Sequence, residues 1–172
     1  PTTHYQLPTR QGFTLIEILL YTSITAMILL AISTFYFMML DSRVKNQAIA
    51  EVEQQGMQVI QVITQTARNA ESITAPAVGA SSAALTLDVV TVANDPTVFD
   101  LASGVLRITE GVGSAVSLTN SRVTVSALTV QNLSRSGTPG TIRIQFTLTH
   151  VNTTGRNEYN YSKVFTGSAS LR

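Results

Sequence analysis

Arg10-Gln11-Gly12-Phe13-Thr14-Leu15-Ile16-Glu17 leads directly into a run from Ile18 to Leu40 that holds no charged residue, and the fold turns on how this stretch is read. As a helix, the 23 residues of that run would rise about 34 Å, slightly more than the roughly 30 Å hydrocarbon core of a bilayer. The stretch therefore reads as a membrane-spanning helix over about residues 16–40. Glu17 is the anomaly in it. A charge at mid-membrane costs roughly 2.5–3.5 kcal/mol on insertion scales, less near the interface, so an ionisable residue there is a functional candidate by default.

Gly12, Phe13, Thr14, Leu15, Ile16 and Glu17, followed by the apolar run and preceded by basic Arg10, resemble the prepilin-type N-terminus of type IV pilins and of type II secretion and competence pseudopilins. The resemblance covers about the first 30 residues. It implies cleavage by a prepilin peptidase between Gly12 and Phe13, N-methylation of Phe13, and a mature chain in which Glu17 is the fifth residue. It also implies that the partner of Glu17 is the terminal amine of a neighbouring subunit, a pairing that would set the axial register of an incoming helix. The competing reading is a glutamate that snorkels to the headgroups. Many members of the family carry a proline within the apolar part of the helix, and this sequence has none there.

An ordinary secretory signal would need a shorter apolar core followed by a small-residue cleavage site. This core instead continues to Met38-Met39-Leu40-Asp41. Residues 1–12, with Pro1 and Pro8, read as a leader rather than a helix. Arg10 on one side, and Arg43 with Lys45 on the other, leave the positive-inside rule balanced. The resemblance implies a cytoplasmic leader and an exported head.

Beyond the membrane segment, no proline occurs between Phe13 and Ala75. Ile49, Val52, Gly56, Ile60, Ile63, Ala67 and Ala70 recur at helical spacing on one face, with Glu51, Gln55, Gln58, Gln61, Gln65 and Arg68 opposite. One continuous helix is predicted from about Phe13 to about Ser72. Gly56 in its interior costs about 1 kcal/mol relative to alanine and reads as a close-packing position rather than a hinge.

From Ile73-Thr74-Ala75-Pro76 helix propensity collapses, and Ala77 to Ala84 reads as a loop. Period-two alternation then predicts antiparallel strands at 85–92, 97–101, 105–109, 115–119, 122–133, 141–151 and 158–166. Ile142, Ile144, Phe146 and Leu148 alternate with Arg143, Gln145, Thr147 and Thr149, marking one dry and one wet face. In Val123, Val125, Leu128 and Val130 the parity slips once, which predicts a bulge near Ser126-Ala127. A sheet of this size needs a cover, and the apolar stripe of the helix supplies one.

The composition of the 172 residues, with 11 basic against 10 acidic and only 12% charged, points to neither a nucleic-acid surface nor an acidic tail. The chain has no cysteine, so disulfides and thiolate metal sites are excluded. His4 falls in the leader and His150 ends a strand, so no paired-histidine metal site is available. Neither a phosphate-binding Gly-x-x-x-x-Gly-Lys loop nor a Gly-x-Ser-x-Gly elbow occurs. The reading is a non-enzyme without catalytic residues, metal ligands or cofactor. The head's seven basic residues are spread over separate strands and make no basic stripe. Tyr159 and Tyr161 share strand parity with Lys163 and Phe165, an arrangement that would suit a stacking platform for nucleic acid, with an amphipathic edge strand the simpler reading. Asn132, Asn152 and Asn160 head N-x-Ser/Thr triplets, which chance explains in a chain this rich in Ser and Thr.

The predicted architecture is α+β: a leader at 1–12, a long helix at 13–72 and a β-rich head at 73–172, with the second half of the helix on an antiparallel sheet. The resemblance implies a minor pilin or pseudopilin of a type IV pilus or type II secretion pseudopilus in the cytoplasmic membrane. Its partners would be prepilin peptidase, other pilin subunits, an inner-membrane assembly platform and lipid. A single-pass membrane-anchored adhesin or DNA-binding β-domain is the reading from another class.

Overall fold

A computed structural model of the chain describes residues 12–135, 137 and 140–172. Arg10 and nearly all of the expected leader lie outside the described residues, as do Ser136, Thr138 and Pro139 of the expected turn before Gly140. The chain forms two compact units that divide between Asp41 and Ser42.

In chain order the elements are helix α1 (Leu15–Arg68) and strands β1 (Ala70–Ala75), β2 (Ser81–Ser82), β3 (Leu85–Val89), β4 (Thr97–Ala102), β5 (Val105–Glu110), β6 (Val116–Ser117), β7 (Val123–Asn132), β8 (Thr141–His150) and β9 (Ser162–Ser170). The fold is α+β as expected, with the helix packed on antiparallel sheet. The helix is four residues shorter at its C-terminus than predicted. It closes at Asn69, whose N–H donates to the carbonyls of Gln65 and Thr66, and Ala70–Ala75 is drawn into a strand beside β3. Pairing with a neighbouring strand overrides the helix-compatible composition of Ala70-Glu71-Ser72.

The single sheet of the sequence reading is two sheets. One runs β1-β3-β4-β5-β6 and the other β2-β7-β8-β9. A turn at Ser103-Gly104, both at positive φ (51° and 76°), folds β4 onto β5. There the Gly104 carbonyl accepts the Val125 N–H at 2.8 Å, where the two sheets meet. A Cβ on Gly104 would lie 2.7 Å from Thr124 Cγ2, so this junction needs glycine for space as well as for its backbone angle.

The predicted bulge is present. Ser126 pairs with Thr147 and Thr129 with Gln145, which leaves Ala127 and Leu128 opposite Phe146, with Ala127 at φ 52°. This extra residue puts Val123, Val125, Leu128 and Val130 all on the buried face. β8 alternates as read, with Ile142, Ile144, Phe146 and Leu148 fully buried. β9 begins at Ser162 rather than Glu158. Asn157–Tyr159 is a 3-10 turn, within a loop tied by the Asn152 amide to the Arg156 carbonyl at 2.8 Å and to Asn160 Oδ1 at 2.7 Å. β3 likewise stops short, at Val89, whose N–H donates to the turn residue Asp95 at 3.4 Å.

One core joins the helix to both sheets. Ala48, Val52, Gly56, Val59, Ile63 and Ala67 form the buried stripe of α1. Ala48 and Val59 replace the predicted Ile49 and Ile60, which sit beside it half-buried. Leu85, Leu87, Phe99 and Leu106 from one sheet and the β7 and β8 rows from the other complete the core. Each such side chain contributes about 1.5–3 kcal/mol on full burial. Gly56 lies over the Phe165 ring, and a Cβ there would overlap Cζ, Cε1 and Cε2. Phe165 in turn stacks on Phe146 with ring centroids 5.7 Å apart. Gly167 repeats the device from the strand side, since a Cβ would meet Ile60 at 3.0 Å. The close-packing reading of Gly56 therefore has a named partner.

Polar clasps flank the apolar contact. Lys163 Nζ donates to Glu53 Oε1 at 2.6 Å, and Asn120 Nδ2 donates to Glu51 Oε1 at 2.6 Å. Glu51, read from the sequence as part of the solvated face, is instead held by the head. Asn132 is fully buried, its amide donating to the Pro76 carbonyl at 2.8 Å while Oδ1 accepts the Ser134 N–H at 3.0 Å, so it is a structural residue.

Candidate functional site

The site indicated by the sequence lies at the start of α1. Gly12, Phe13 and Thr14 are non-helical, and Leu15 opens the helix. Among the described residues nothing lies within 4 Å of a Cβ built on Gly12, and Phe13 is 72% exposed, so no described part of the chain covers the Gly12–Phe13 bond. Thr14 caps the helix. Its hydroxyl accepts the Glu17 N–H at 3.3 Å, and its carbonyl accepts the N–H groups of Glu17 and Ile18 at 3.1 and 3.2 Å.

Thr14-Leu15-Ile16-Glu17 has the Ser/Thr-x-x-Glu pattern of a capping box, a signal the sequence reading passed over. Glu17 thus sits in the first turn, where the helix dipole favours an anion. One turn later the Tyr21 hydroxyl donates to Glu17 Oε1 at 3.4 Å. Around Glu17 the structure gathers Thr14 and Tyr21, two residues outside the predicted site set of Arg10, Gly12, Phe13 and Glu17.

From Leu15 to Leu40 the large apolar side chains are all exposed. This helix is long and apolar enough to cross a membrane, and none of its apolar window is buried, unlike the core helix of a soluble protein. The segment's serine and threonine hydroxyls are spent on its own backbone. Thr22 bonds Ile18 O at 3.0 Å, Ser23 Leu20 O at 2.9 Å, Thr25 Tyr21 O at 2.8 Å, Ser33 Leu29 O at 2.8 Å and Thr34 Leu30 O at 2.6 Å. An apolar exterior with every such hydroxyl satisfied within the helix suits a bilayer, where unpaired polar groups are expensive.

No family model, curated protein or solved structure matches the chain.

In the head, the stacking platform does not form. Phe165 is buried under Gly56, Lys163 is paired with Glu53, and Tyr159 stacks on His150 at 5.7 Å rather than facing outward with its neighbours. Among the described residues no three His, Cys, Asp or Glu side chains gather as a metal site. The shifted ionisations belong to structural pairs. The hydrogen bond from Lys163, and then its charge, hold the Glu53 carboxyl below its usual range, and the same hydrogen bond raises the Lys163 ammonium. Arg107 is raised by its hydrogen bonds to Asp100, a two-pronged pair across β4 and β5.

Proposed function

We propose that the chain is a pilin-like subunit, a minor pilin or pseudopilin, that is inserted in the cytoplasmic membrane, cut between Gly12 and Phe13 by prepilin peptidase, and assembled through α1 into a pilus or pseudopilus. The observation that carries this reading is the order of parts at the helix start. A Gly12–Phe13 bond that no described residue covers is followed by the Thr14 cap, and the Glu17 carboxylate then stands in the first turn of a helix whose large apolar side chains are exposed.

Cleavage would place the new amine of Phe13 about one helical turn from Glu17. In lipid an unpaired ammonium and an unpaired carboxylate are each costly, and pairing them recovers much of that cost. A neighbouring subunit's Phe13 amine meeting Glu17 would set the register of the incoming helix. The remaining apolar surface of α1 would then pack against other helices or lipid, and the head would face the exported side.

Co-expression with a prepilin peptidase tests the reading. The wild-type chain is expected to lose everything up to Gly12, while a Gly12→Leu variant stays at precursor mass. Equal processing of the two would remove the cleavage claim.

A further inference from the structure

The head carries a cavity of about 620 Å³ between the start of its share of α1 and the loops at one end of β7 and β8. That volume falls within the roughly 300–1,000 Å³ of small-molecule sites. Its walls converge from four separate segments: Gln54 and Glu51 of α1, Arg122 before β7, His150 at the end of β8, and Thr153 with Tyr159 from the following loop.

Two features of this wall are unspent by the fold, and a third gives it an aromatic surface. The Arg122 side chain is 73% exposed and, among the described residues, touches only Glu51, at 3.7 Å, which leaves most of its donors available to another acceptor. His150 Nδ1 is buried and has no hydrogen-bond partner among the described residues, which calls for an explanation in a folded chain. Tyr159 stacks on that imidazole, with ring centroids 5.7 Å apart and an interplanar angle of 17°, so the two rings line the cavity as a layered pair.

From this arrangement we infer that the cavity is a binding site for a neutral saccharide. Glu51 and Arg122 bring one negative and one positive charge to the same wall. An anionic ligand reaching Arg122 would meet the Glu51 carboxylate, and a cationic one reaching Glu51 would meet the guanidinium. A sugar ring avoids both conflicts because each hydroxyl donates and accepts. It can take hydrogen bonds from Arg122, give them to Glu51, and use the amide of Gln54 and the hydroxyl of Thr153. The apolar C–H face of a pyranose fits against an aromatic ring with a polar tip, the part Tyr159 supplies. This site is independent of the helix start and goes beyond the assembly reading.

The test is a titration of the full chain in a polyoxyethylene detergent, which has no sugar headgroup. The probes are methyl β-glucoside, lactose and the N-acetylglucosamine trimer, with galacturonate and glucosamine as charged counterparts. The readout is the ring resonance of His150, assigned with a His150→Gln variant. At least one neutral probe is expected to give a saturable shift at roughly millimolar affinity or tighter. Tyr159→Ala is expected to weaken it about tenfold or more, and Arg122→Gln, at an exposed position, several-fold. Tyr159→Phe keeps the ring and is expected to bind nearly as wild type, which separates a lost contact from a lost fold. Absence of any saturable shift with the neutral probes would overturn the proposal. So would binding unchanged in both Tyr159→Ala and Arg122→Gln, or a charged sugar binding as tightly as its neutral counterpart.

Discussion

Replacing Gly56 with alanine is expected to destabilise the head, although the same change in an ordinary helix interior stabilises by about 1 kcal/mol. The new methyl would occupy the space of three Phe165 ring atoms at once. The ring has nowhere simple to go, because it also stacks on fully buried Phe146. Overpacking of a filled core costs about 1–3 kcal/mol, and the crowding here argues for the upper half of that range. Subtracting the propensity gain leaves a net loss of about 1–2 kcal/mol, or roughly 2–8 °C in Tm for a chain of this size. Denaturant unfolding of the full chain in micelles, followed by far-ultraviolet circular dichroism, measures it. The sharper assay is a double-mutant cycle with Phe165→Leu, which removes the ring. On that background Gly56→Ala is expected to reverse sign and stabilise by up to about 1 kcal/mol, a coupling within the usual span for contacting residues. A stabilising Gly56→Ala with Phe165 intact would refute the close-packing argument and point to a flexible joint instead.

Glu17→Ala is expected to leave cleavage unchanged and to reduce co-assembly with wild-type subunits, measured by disulfide crosslinking through single cysteines placed in this cysteine-free chain; unchanged co-assembly would count against the pairing role. The Glu53–Lys163 pair gives a stability plateau with two limbs. Because the folded Glu53 carboxyl is held low, its contribution is present above the ordinary carboxylate range and is lost as pH falls through the folded value. Because the Lys163 ammonium is held high, its contribution is present below the ordinary lysine range and fades as pH rises through its folded value. Lys163→Gln is expected to flatten both limbs in low-salt unfolding curves, and an unaltered acid limb would contradict the pairing; added salt should shrink the difference at this exposed site. Ala127 holds φ 52° in the β7 bulge, so Ala127→Gly is expected to stabilise by about 1 kcal/mol and Ala127→Val to destabilise by more, both read from the unfolding midpoint.

The features legible in the sequence were those set by local counting. A single parity slip between Val125 and Leu128 located the bulge, because side chains alternate strictly along a strand. The uncharged run to Leu40 and the Gly-Phe-Thr-x-x-Glu order located the candidate site, and the Thr14 cap was readable in the same six residues. Other features depended on distant partners. The end of α1 was misjudged because Ala70-Glu71-Ser72 suits a helix until β3 pairs with it. Ala48-Ile49 and Val59-Ile60 are adjacent apolar pairs, and helical periodicity alone does not say which member faces the sheet. Glu51 looked solvated because its partner, Asn120, is 69 residues away. Strand periodicity does not encode which strands pair, so the division into two sheets, which meet at Gly104 and Val125, was not legible. The cavity around His150 was invisible for the same reason, since its walls come from four separate segments.

The central claim is that the chain is processed at its helix start into an assembly-competent subunit. Its most direct test is the intact mass and N-terminal peptide of the protein recovered from membranes that contain a prepilin peptidase. The expected result is a chain that begins at Phe13 with a methylated α-amine. A membrane-bound chain that still carries Arg10-Gln11-Gly12 ahead of an internal, unmodified Phe13 would contradict it.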